Sequence, residues 1–291
     1  MKPAPFRYAD PGTLDEALAV LSDEGEGAKV LAGGQSLLPL LSMRLAAPAT
    51  LVDINRVPGL DTVEATGDGV TVGALVRHND LLHDDAAARV QPLLARATAN
   101  VAHPAIRNRG TTVGSIAHAD PSGEMTSVLA LTDGSVTVAT PGGVETIGWR
   151  DLFVGPLETS IHGPAVVTSA FVPALPARSG TAFAEVARRK GDYAVCGGGV
   201  VVTLDADRRV AAVRAAYVSV GIVPEVHDLT DAVIGQPADS ADWAAAGALA
   251  RTLVEPDTDL HASADYRRLL VGVLTERMLA EAAAEAVVGI E

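Results

Sequence analysis

The sequence predicts an α+β fold in which a small α/β unit comes first and antiparallel sheets follow. Strand and helix patterns alternate over the first 57 residues, and two glycine-centred hairpins come next. The last part holds three strand patterns followed by two helix patterns. We therefore divide the 291 residues into three predicted segments, 1–57, 58–174 and 175–291.

The first segment begins with a strand predicted over Phe6–Tyr8. Thr13 and Glu16 have the spacing of a capping box, which predicts the start of an amphipathic helix. Lys29–Ala32 is predicted as a buried strand that runs into a glycine turn. The remaining predicted elements are a helix over Leu37–Arg44 and a strand over Thr50–Ile54.

The second segment has two hairpin patterns around Gly67-Asp68-Gly69 and Pro141-Gly142-Gly143. Their predicted strands are Thr62–Thr66 with Val70–Gly73, and Val136–Thr140 with Val144–Ile147. Between them the pattern predicts one helix over Leu81–Val101, a long loop over Arg109–Glu124 and a helix over Met125–Leu131.

The third segment follows a proline-punctuated linker, Pro173–Ser179. The predicted strands are Thr181–Arg188, Gly198–Leu204 and Val210–Val220. The predicted helices are Asp239–Leu253 and Ala264–Val287. Apolar and small residues recur at helical spacing in the second helix, which indicates a packing helix.

Composition excludes several classes of protein. With 22 basic against 36 acidic residues and a net charge of −14, the chain is a poor candidate for binding nucleic acid or an anionic membrane. Its single cysteine excludes a disulfide framework and a cluster held by cysteines of this chain alone. Its first residues lack the apolar run of a secretory signal, and no stretch approaches the roughly 18 apolar residues of a membrane span. We therefore expect a cytoplasmic protein.

Common catalytic signatures are missing, among them HExxH, the P-loop and GxSxG. The GxGxxG pattern fails after Gly197-Gly198-Gly199, so a Rossmann fingerprint is absent, and the histidines lack metal-ligand spacing. Two small-residue segments carry the chemistry instead. The first, residues 32–36, consists of Ala32, Gly33, Gly34, Gln35 and Ser36. The second, residues 107–124, is dense in Gly, Thr and Ser.

Small residues let backbone N–H groups converge on an oxyanion, and Ser36 adds a hydroxyl donor. Because the overall charge is negative, local amides would have to hold a phosphate-bearing ligand between two subdomains. Glu124 has two interpretations: an acceptor for ribose hydroxyls, or a carboxylate that favours the start of the helix before Met125.

At these residues the chain resembles the FAD-binding medium subunit of the molybdenum hydroxylases, the carbon monoxide dehydrogenase and xanthine dehydrogenase group. Residues 32–36 resemble the first flavin motif, AGGxS, and Arg107–Pro121 resemble the second, RNRGTIGGNxAHADP. Arg189–Ala194 resemble a third signature, R-x-x-D-Y/F-A. The resemblance implies a two-subdomain FAD-binding domain of the PCMH type, followed by a C-terminal antiparallel sheet with packed helices.

The resemblance also implies which residues bind FAD. Residues 32–36 would contact the pyrophosphate with Thr111, Thr112, Val113 and Gly114. Ser115, Ala117 and His118 would continue that wall, Glu124 would bind the ribose, and Val166 and Val167 would pack near the adenine or the ring system. Tyr193 would cover the isoalloxazine, although a core tyrosine at a strand start is an equal alternative. Val113 replaces a common glycine, which predicts an extended backbone there, and Gln35 replaces a frequent histidine.

The implied function is electron transfer. FAD on this chain would take electrons from the iron–sulfur clusters of a small subunit, which serves a large molybdopterin subunit, and pass them to quinone, NAD or oxygen. No side chain is predicted as an acid, base, nucleophile or metal ligand. Two alternatives stay open, a free-standing flavin oxidoreductase and a scaffold subunit that has lost FAD. The substrate would depend on the large subunit.

Overall fold

The structure is a computed structural model that describes residues 2–288. The first predicted segment forms a three-stranded parallel sheet in the order β1-β3-β2. Its strands are β1 (Arg7–Ala9), β2 (Ala28–Leu31) and β3 (Thr50–Asp53), and its helices are α1 (Leu14–Glu24) and α2 (Leu37–Met43).

The predicted cap of α1 is confirmed with one difference. The Thr13 side chain accepts a hydrogen bond from the Glu16 amide at 3.2 Å. The Glu16 carboxylate, however, accepts from the amide of Gly12, not of Thr13, at 2.8 Å. The helix ends at Gly25, whose φ of 55° suits glycine. Strand β2 is half-buried rather than fully buried.

The second segment contains a five-stranded antiparallel sheet in the order β4-β5-β10-β6-β7. Its strands are β4 (Val63–Ala65), β5 (Gly69–Gly73), β6 (Ser135–Thr140), β7 (Gly143–Gly148) and β10 (Val166–Pro173). Both predicted hairpins are present with their glycine turns. A two-stranded ribbon joins β8 (Phe153–Gly155) to β9 (Glu158–Thr159).

The single helix predicted over Leu81–Val101 is wrong. The structure has three short helices, α3 (His78–Leu82), α4 (Asp85–Val90) and α5 (Pro92–Thr98). Asp84 caps α4 by accepting from the Ala87 amide at 2.8 Å. Pro92 starts α5 and excludes Gln91 from a helical backbone, because the residue before a proline avoids that region.

The loop predicted over Arg109–Glu124 is also wrong in part, because it contains a helix. The helices of this region are α6 (Pro104–Arg107), α7 (Thr112–His118), α8 (Glu124–Leu131) and α9 (Trp149–Leu152). The helix predicted over Met125–Leu131 is confirmed as α8, with one more residue at its start.

The third segment is a four-stranded antiparallel sheet in the order β11-β12-β13-β14. Its strands are β11 (Ser179–Val186), β12 (Cys196–Leu204), β13 (Val210–Val218) and β14 (Val226–Asp228). The helices are α10 (Trp243–Leu253) and α11 (Ala264–Val288). Helix α11 packs on β11 so closely that a Cβ at Gly180 would lie 2.7 Å from the Ala286 amide nitrogen.

One hydrophobic core joins the first two segments, from Ala17 on α1 to Val172 on β10, and reaches Val201 and Ala216 of the third. A second core lies between the C-terminal sheet and its helices. Arg96 and Glu285 tie α5 to α11 by an ion pair of 2.6 Å. Each predicted segment thus carries one main sheet, while the boundaries of the segments stay a prediction. Within residues 2–288, no helix is both long and apolar enough to cross a membrane.

Candidate functional site

Residues 32–36 leave the carboxyl end of β2 and enter α2. Gly34 adopts a φ of +73°, a backbone that favours glycine, and all five residues are half-buried. Within the described part of the chain, the backbone N–H groups of Gly33, Gly34, Gln35 and Ser36 have no hydrogen-bond acceptor. Four adjacent donors without partners favour an oxyanion ligand.

The second small-residue segment, residues 107–124, is built around the N-terminal turn of α7. The Thr111 side chain accepts from the Gly114 amide at 3.2 Å, so the threonine that was predicted as a ligand contact also caps the helix. The remaining residues predicted for this wall lie within α7: Thr112, Val113, Gly114, Ser115, Ala117 and His118.

The extended backbone predicted at Val113 is wrong, because Val113 is helical and 1% exposed in the core. A valine fits there without backbone strain. Among the described residues, the N–H groups of Thr111 and Val113 find no acceptor.

The two small-residue segments contact each other directly. A Cβ at Gly33 would lie 2.8 Å from the Cα of Gly110 and 2.9 Å from the Thr111 nitrogen. A Cβ at Gly110 would lie 3.5 Å from the Cγ of Gln35. The absence of a side chain at Gly33 therefore brings unpaired donors from both segments together. This donor set fits the pyrophosphate of a dinucleotide, which needs several N–H groups and little side-chain bulk.

Two residues that the sequence analysis missed bridge these segments. Asn55, two residues after the end of β3, donates from Nδ2 to the Ala32 carbonyl at 2.8 Å. Its Oδ1 accepts from Arg77 at 2.6 Å, and Arg77 also donates to the Arg109 carbonyl at 2.7 Å. The position of Asn55 at the carboxyl end of a parallel strand was a usable signal, whereas nothing in the sequence distinguishes Arg77.

Two titratable residues predicted for the site have shifted pKa values. Burial lowers the pKa of His118; the charge of Lys29 adds to this shift and that of Asp120 opposes it. Lys29 lies on β2, so the C-terminal end of α7, where His118 lies, faces the first predicted segment, residues 1–57. Desolvation raises the pKa of Glu124 to about 7, and the charge of Asp120 adds to the shift. Glu124 is the first residue of α8, so its position is compatible with both of its interpretations.

The third signature lies beside the second. Gly191, with a φ of +86°, packs so closely on the ring of His103 that a Cβ would lie 2.7 Å from its Nε2. Tyr193 is 67% exposed, so it is not a core tyrosine. Partial burial and the carboxylates of Asp120 and Glu124 raise the pKa of its hydroxyl to about 12. The aromatic ring therefore lies next to Asp120 and Glu124, at the end of the small-residue segment 107–124.

The valines predicted to contact the ligand occupy the start of β10. Val166 is 1% exposed and belongs to the main core, whereas Val167 is half-buried. Only Val167 offers side-chain surface to a ligand in this arrangement.

A cavity of about 520 Å³ adjoins Tyr193 at the boundary between the second and third segments. Pro121 and Ser122 line it on one side, and Arg267 lies on the other. Arg267 is buried and held by Asp259 at 2.8 Å, so its charge is already paired. The exposed side of Tyr193 therefore borders an open cavity. Because the charge of Arg267 is paired, this arginine gives the cavity no strong preference for an anion.

Comparison with known families gives two matches. Residues 4–175 match the FAD binding domain in molybdopterin dehydrogenase. Residues 181–282 match the C-terminal domain of the CO dehydrogenase flavoprotein.

Individual relatives cover nearly the whole chain. It is 40% identical to the nicotine 6-hydroxylase medium subunit of Paenarthrobacter nicotinovorans, over 98% of this chain and 99% of that one. It is 33% identical to the carbon monoxide dehydrogenase medium chain of Hydrogenophaga pseudoflava, over 96% and 97%. The solved quinoline 2-oxidoreductase of Pseudomonas putida 86 superposes with a TM-score of 0.92 at 36% identity, over 98% of this chain and 99% of that one.

Proposed function

Because this chain belongs to the family of FAD-binding medium subunits of the molybdenum hydroxylases, we propose that it is the electron-transfer subunit of such a complex. It takes electrons from the iron–sulfur clusters of a small partner subunit, which receives them from a large molybdopterin subunit. The acceptor is quinone, NAD or oxygen. The observation that carries the proposal is the contact between residues 32–36 and 107–124, each of which holds N–H groups that find no acceptor among the described residues.

Family membership confirms the resemblance predicted from the sequence, and FAD is the cofactor of this family. The combination of an FAD-binding domain and a C-terminal sheet with packed helices is confirmed as well. The chain is thus a flavoprotein subunit of the oxidoreductase class.

The residues that hold FAD in this proposal come from both segments. Residues 32–36 and Thr111–Gly114 surround the pyrophosphate. The donors are the N–H groups that find no acceptor within residues 2–288, those of residues 33–36, Thr111 and Val113. Ser115, Ala117 and His118 extend that wall. Glu124 accepts from the ribose hydroxyls, and Val167, with the backbone of Val166, borders the ring system. Tyr193 covers part of the isoalloxazine, which agrees with its exposure next to open space.

FAD supplies the redox chemistry when bound, and the protein supplies binding and orientation. Cys196 is 0% exposed and burial raises the pKa of its thiol to about 12, so it is poorly suited to ligate a metal as a thiolate. Any iron–sulfur cluster that delivers electrons to this flavin must therefore belong to a partner chain.

The proposal is tested in two steps. The full chain is reconstituted with FAD, and flavin absorbance after gel filtration is expected to reach about one FAD per chain. Co-expression with genes for an iron–sulfur small subunit and a molybdopterin large subunit from the same genome should then yield a complex containing iron and molybdenum. Substrate-dependent bleaching of the flavin absorbance is expected in the complex and not in the isolated chain.

Each alternative predicts a different result. A chain that takes up no FAD would support a scaffold subunit, although the unstrained helical backbone at Val113 removes the only sequence feature in its favour. A chain that binds FAD and reacts with substrates without partner subunits would support a free-standing oxidoreductase. Either result overturns the proposed role in a complex.

A further inference from the structure

A continuous path of three hydrogen bonds joins the two FAD-binding segments through residues outside both. It begins at the Ala32 carbonyl, which accepts from Asn55 Nδ2 at 2.8 Å. Asn55 Oδ1 accepts from Arg77 Nη2 at 2.6 Å, and Arg77 Nη1 donates to the Arg109 carbonyl at 2.7 Å. We name this path the Asn55–Arg77 bridge.

Both members of the bridge are fixed by their own backbone. The Asn55 amide donates to Asp53 Oδ1 at 2.9 Å, which holds the residue at the end of β3. Arg77 pairs with Thr111 in an isolated β-bridge, and the next amide, that of His78, donates to the Gly110 carbonyl at 2.9 Å. The side chains therefore connect two backbones that are already placed, and they determine how the segments face each other.

The two outer ends of the bridge are carbonyl groups of the two segments. Fixing the Ala32 and Arg109 carbonyls fixes the planes of the peptide groups that follow them, since the peptide unit is planar. The N–H of Gly33 belongs to the peptide plane that contains the Ala32 carbonyl. An oxyanion held by several amides requires such planes to be preorganised.

We propose that Asn55 and Arg77 are positioning residues that set the relative orientation of the two N–H donor sets for the FAD pyrophosphate. The inference rests on the proposed function, because it assumes that FAD lies across these segments. Both terminal nitrogens of Arg77 are committed to protein acceptors, and burial and the charge of Arg109 lower the pKa of its guanidinium. Arg77 thus acts on FAD through the backbone.

The test measures the Kd of the full-length chain for FAD by quenching of flavin fluorescence. Arg77→Met and Asn55→Ala should each weaken binding about tenfold or more, the loss expected when a hydrogen bond to a charged group is removed. The double variant should bind no more than about twofold more weakly than the weaker single variant, because either change breaks the same path. Asn55→Asp retains the acceptor for Arg77 but loses the donor to Ala32 and to Asp53 Oδ1, and it should also bind more weakly.

Arg77→Lys separates positioning from charge attraction. A lysine ammonium retains the charge but not the fork that spans two acceptors. Positioning therefore predicts that Arg77→Lys binds nearly as weakly as Arg77→Met, with a salt dependence of Kd like that of the wild type. The matched control is Arg209→Met, which removes an arginine bond of 2.7 Å to the Gly235 carbonyl in the C-terminal segment, and it should bind FAD like the wild type.

The outcomes are distinct. Failure of the wild-type chain to bind FAD would overturn the proposed function and this inference with it. Wild-type binding together with variants whose Kd stays within twofold would overturn the inference alone, as would full affinity in Arg77→Lys. Each variant should melt above the assay temperature without FAD, so that its Kd is measured on a folded chain. If Arg77→Met fails to fold, Asn55→Ala and Asn55→Asp decide the question by the same twofold criterion.

Discussion

The contact at Gly33 gives the sharpest prediction about FAD binding. Its φ does not lie in the positive range, so an alanine is acceptable to the backbone and only space decides the effect. The three atoms nearest to a new Cβ all belong to the backbone of residues 109–111. None of these atoms can move aside as the end of a flexible side chain can. Gly33→Ala must therefore separate the two segments.

The size of the effect follows from the distances. Carbon atoms in ordinary contact lie about 3.5–4.0 Å apart, whereas a Cβ at Gly33 would lie 2.8 Å from the Cα of Gly110. Relief requires a separation of about 0.7–1.2 Å by the same criterion. Overpacking of this kind costs about 1–3 kcal/mol. If FAD holds the segments together, the strain remains in the bound state and weakens the Kd about 5- to 140-fold.

The assay is titration of FAD fluorescence with the full-length variant, followed by the absorbance of flavin retained after gel filtration. Gly67→Ala is the matched control, because a Cβ at Gly67 meets nothing within 4 Å and its φ is not in the positive range. A Gly33→Ala chain that binds FAD within twofold of Gly67→Ala would refute the reasoning, because the segments would then not need their close contact.

Three further predictions concern stability. Desolvation, with the charge of Glu124, raises the pKa of Glu185 to about 8 from its ordinary 4.5. Ionising Glu185 therefore costs folded-state stability as pH rises above 4.5. Glu185→Gln should raise the Tm at pH 9 and leave it unchanged at pH 4. Arg96→Met should lower stability by about 1 kcal/mol, or a Tm decrease of about 2–4 °C by calorimetry. Desolvation opposes the shift, but the hydrogen bonds from Arg96 and from the Thr181 amide hold the pKa of Glu285 below its ordinary 4.5. The decrease should therefore shrink as pH falls through that lowered pKa, and the part due to the Arg96 bond to Thr181 Oγ1 at 2.6 Å should remain. Gly180→Ala should cost about 3 kcal/mol or prevent folding, because its Cβ would meet the backbone of α11. Gly148→Ala, where a Cβ meets nothing within 4 Å, is its control, and a Tm equal to that control would contradict the prediction.

Local signals predicted most of the fold because they act over a few residues. The cap at Thr13 and the glycine at Gly25 determine both ends of α1. The same signals were present where the prediction was wrong. Asp84 and Pro92 interrupt the run that was predicted as one helix, and a cap at Thr111 starts α7 inside the predicted loop. Composition favoured a continuous helix in one case and a loop in the other, and the capping residues decided both.

The sequence likewise identified one part of the candidate site and not another. Residues 32–36 were identifiable because donor-rich turns need small residues, which the sequence displays directly. The Asn55–Arg77 bridge was not, because its members are 22 positions apart in the chain and meet only after β3 and α3 are placed. Val166 was predicted to contact the ligand, but successive side chains on a strand point to opposite faces, so Val166 lies in the core. Val167 is the half-buried neighbour.

The net charge of −14 explains why binding through backbone donors suits this flavoprotein. A diphosphate gains nothing from the overall field of such a chain, so its binding depends on donors within a few ångströms. Backbone N–H groups serve this purpose without adding cations, provided that their peptide planes are held in place. Arg77, a cation near the site, already binds Asn55 and the Arg109 carbonyl. The affinity for FAD should therefore depend more on the geometry of the two segments than on salt, so a Kd that weakens steeply with ionic strength would show that direct charge pairing dominates.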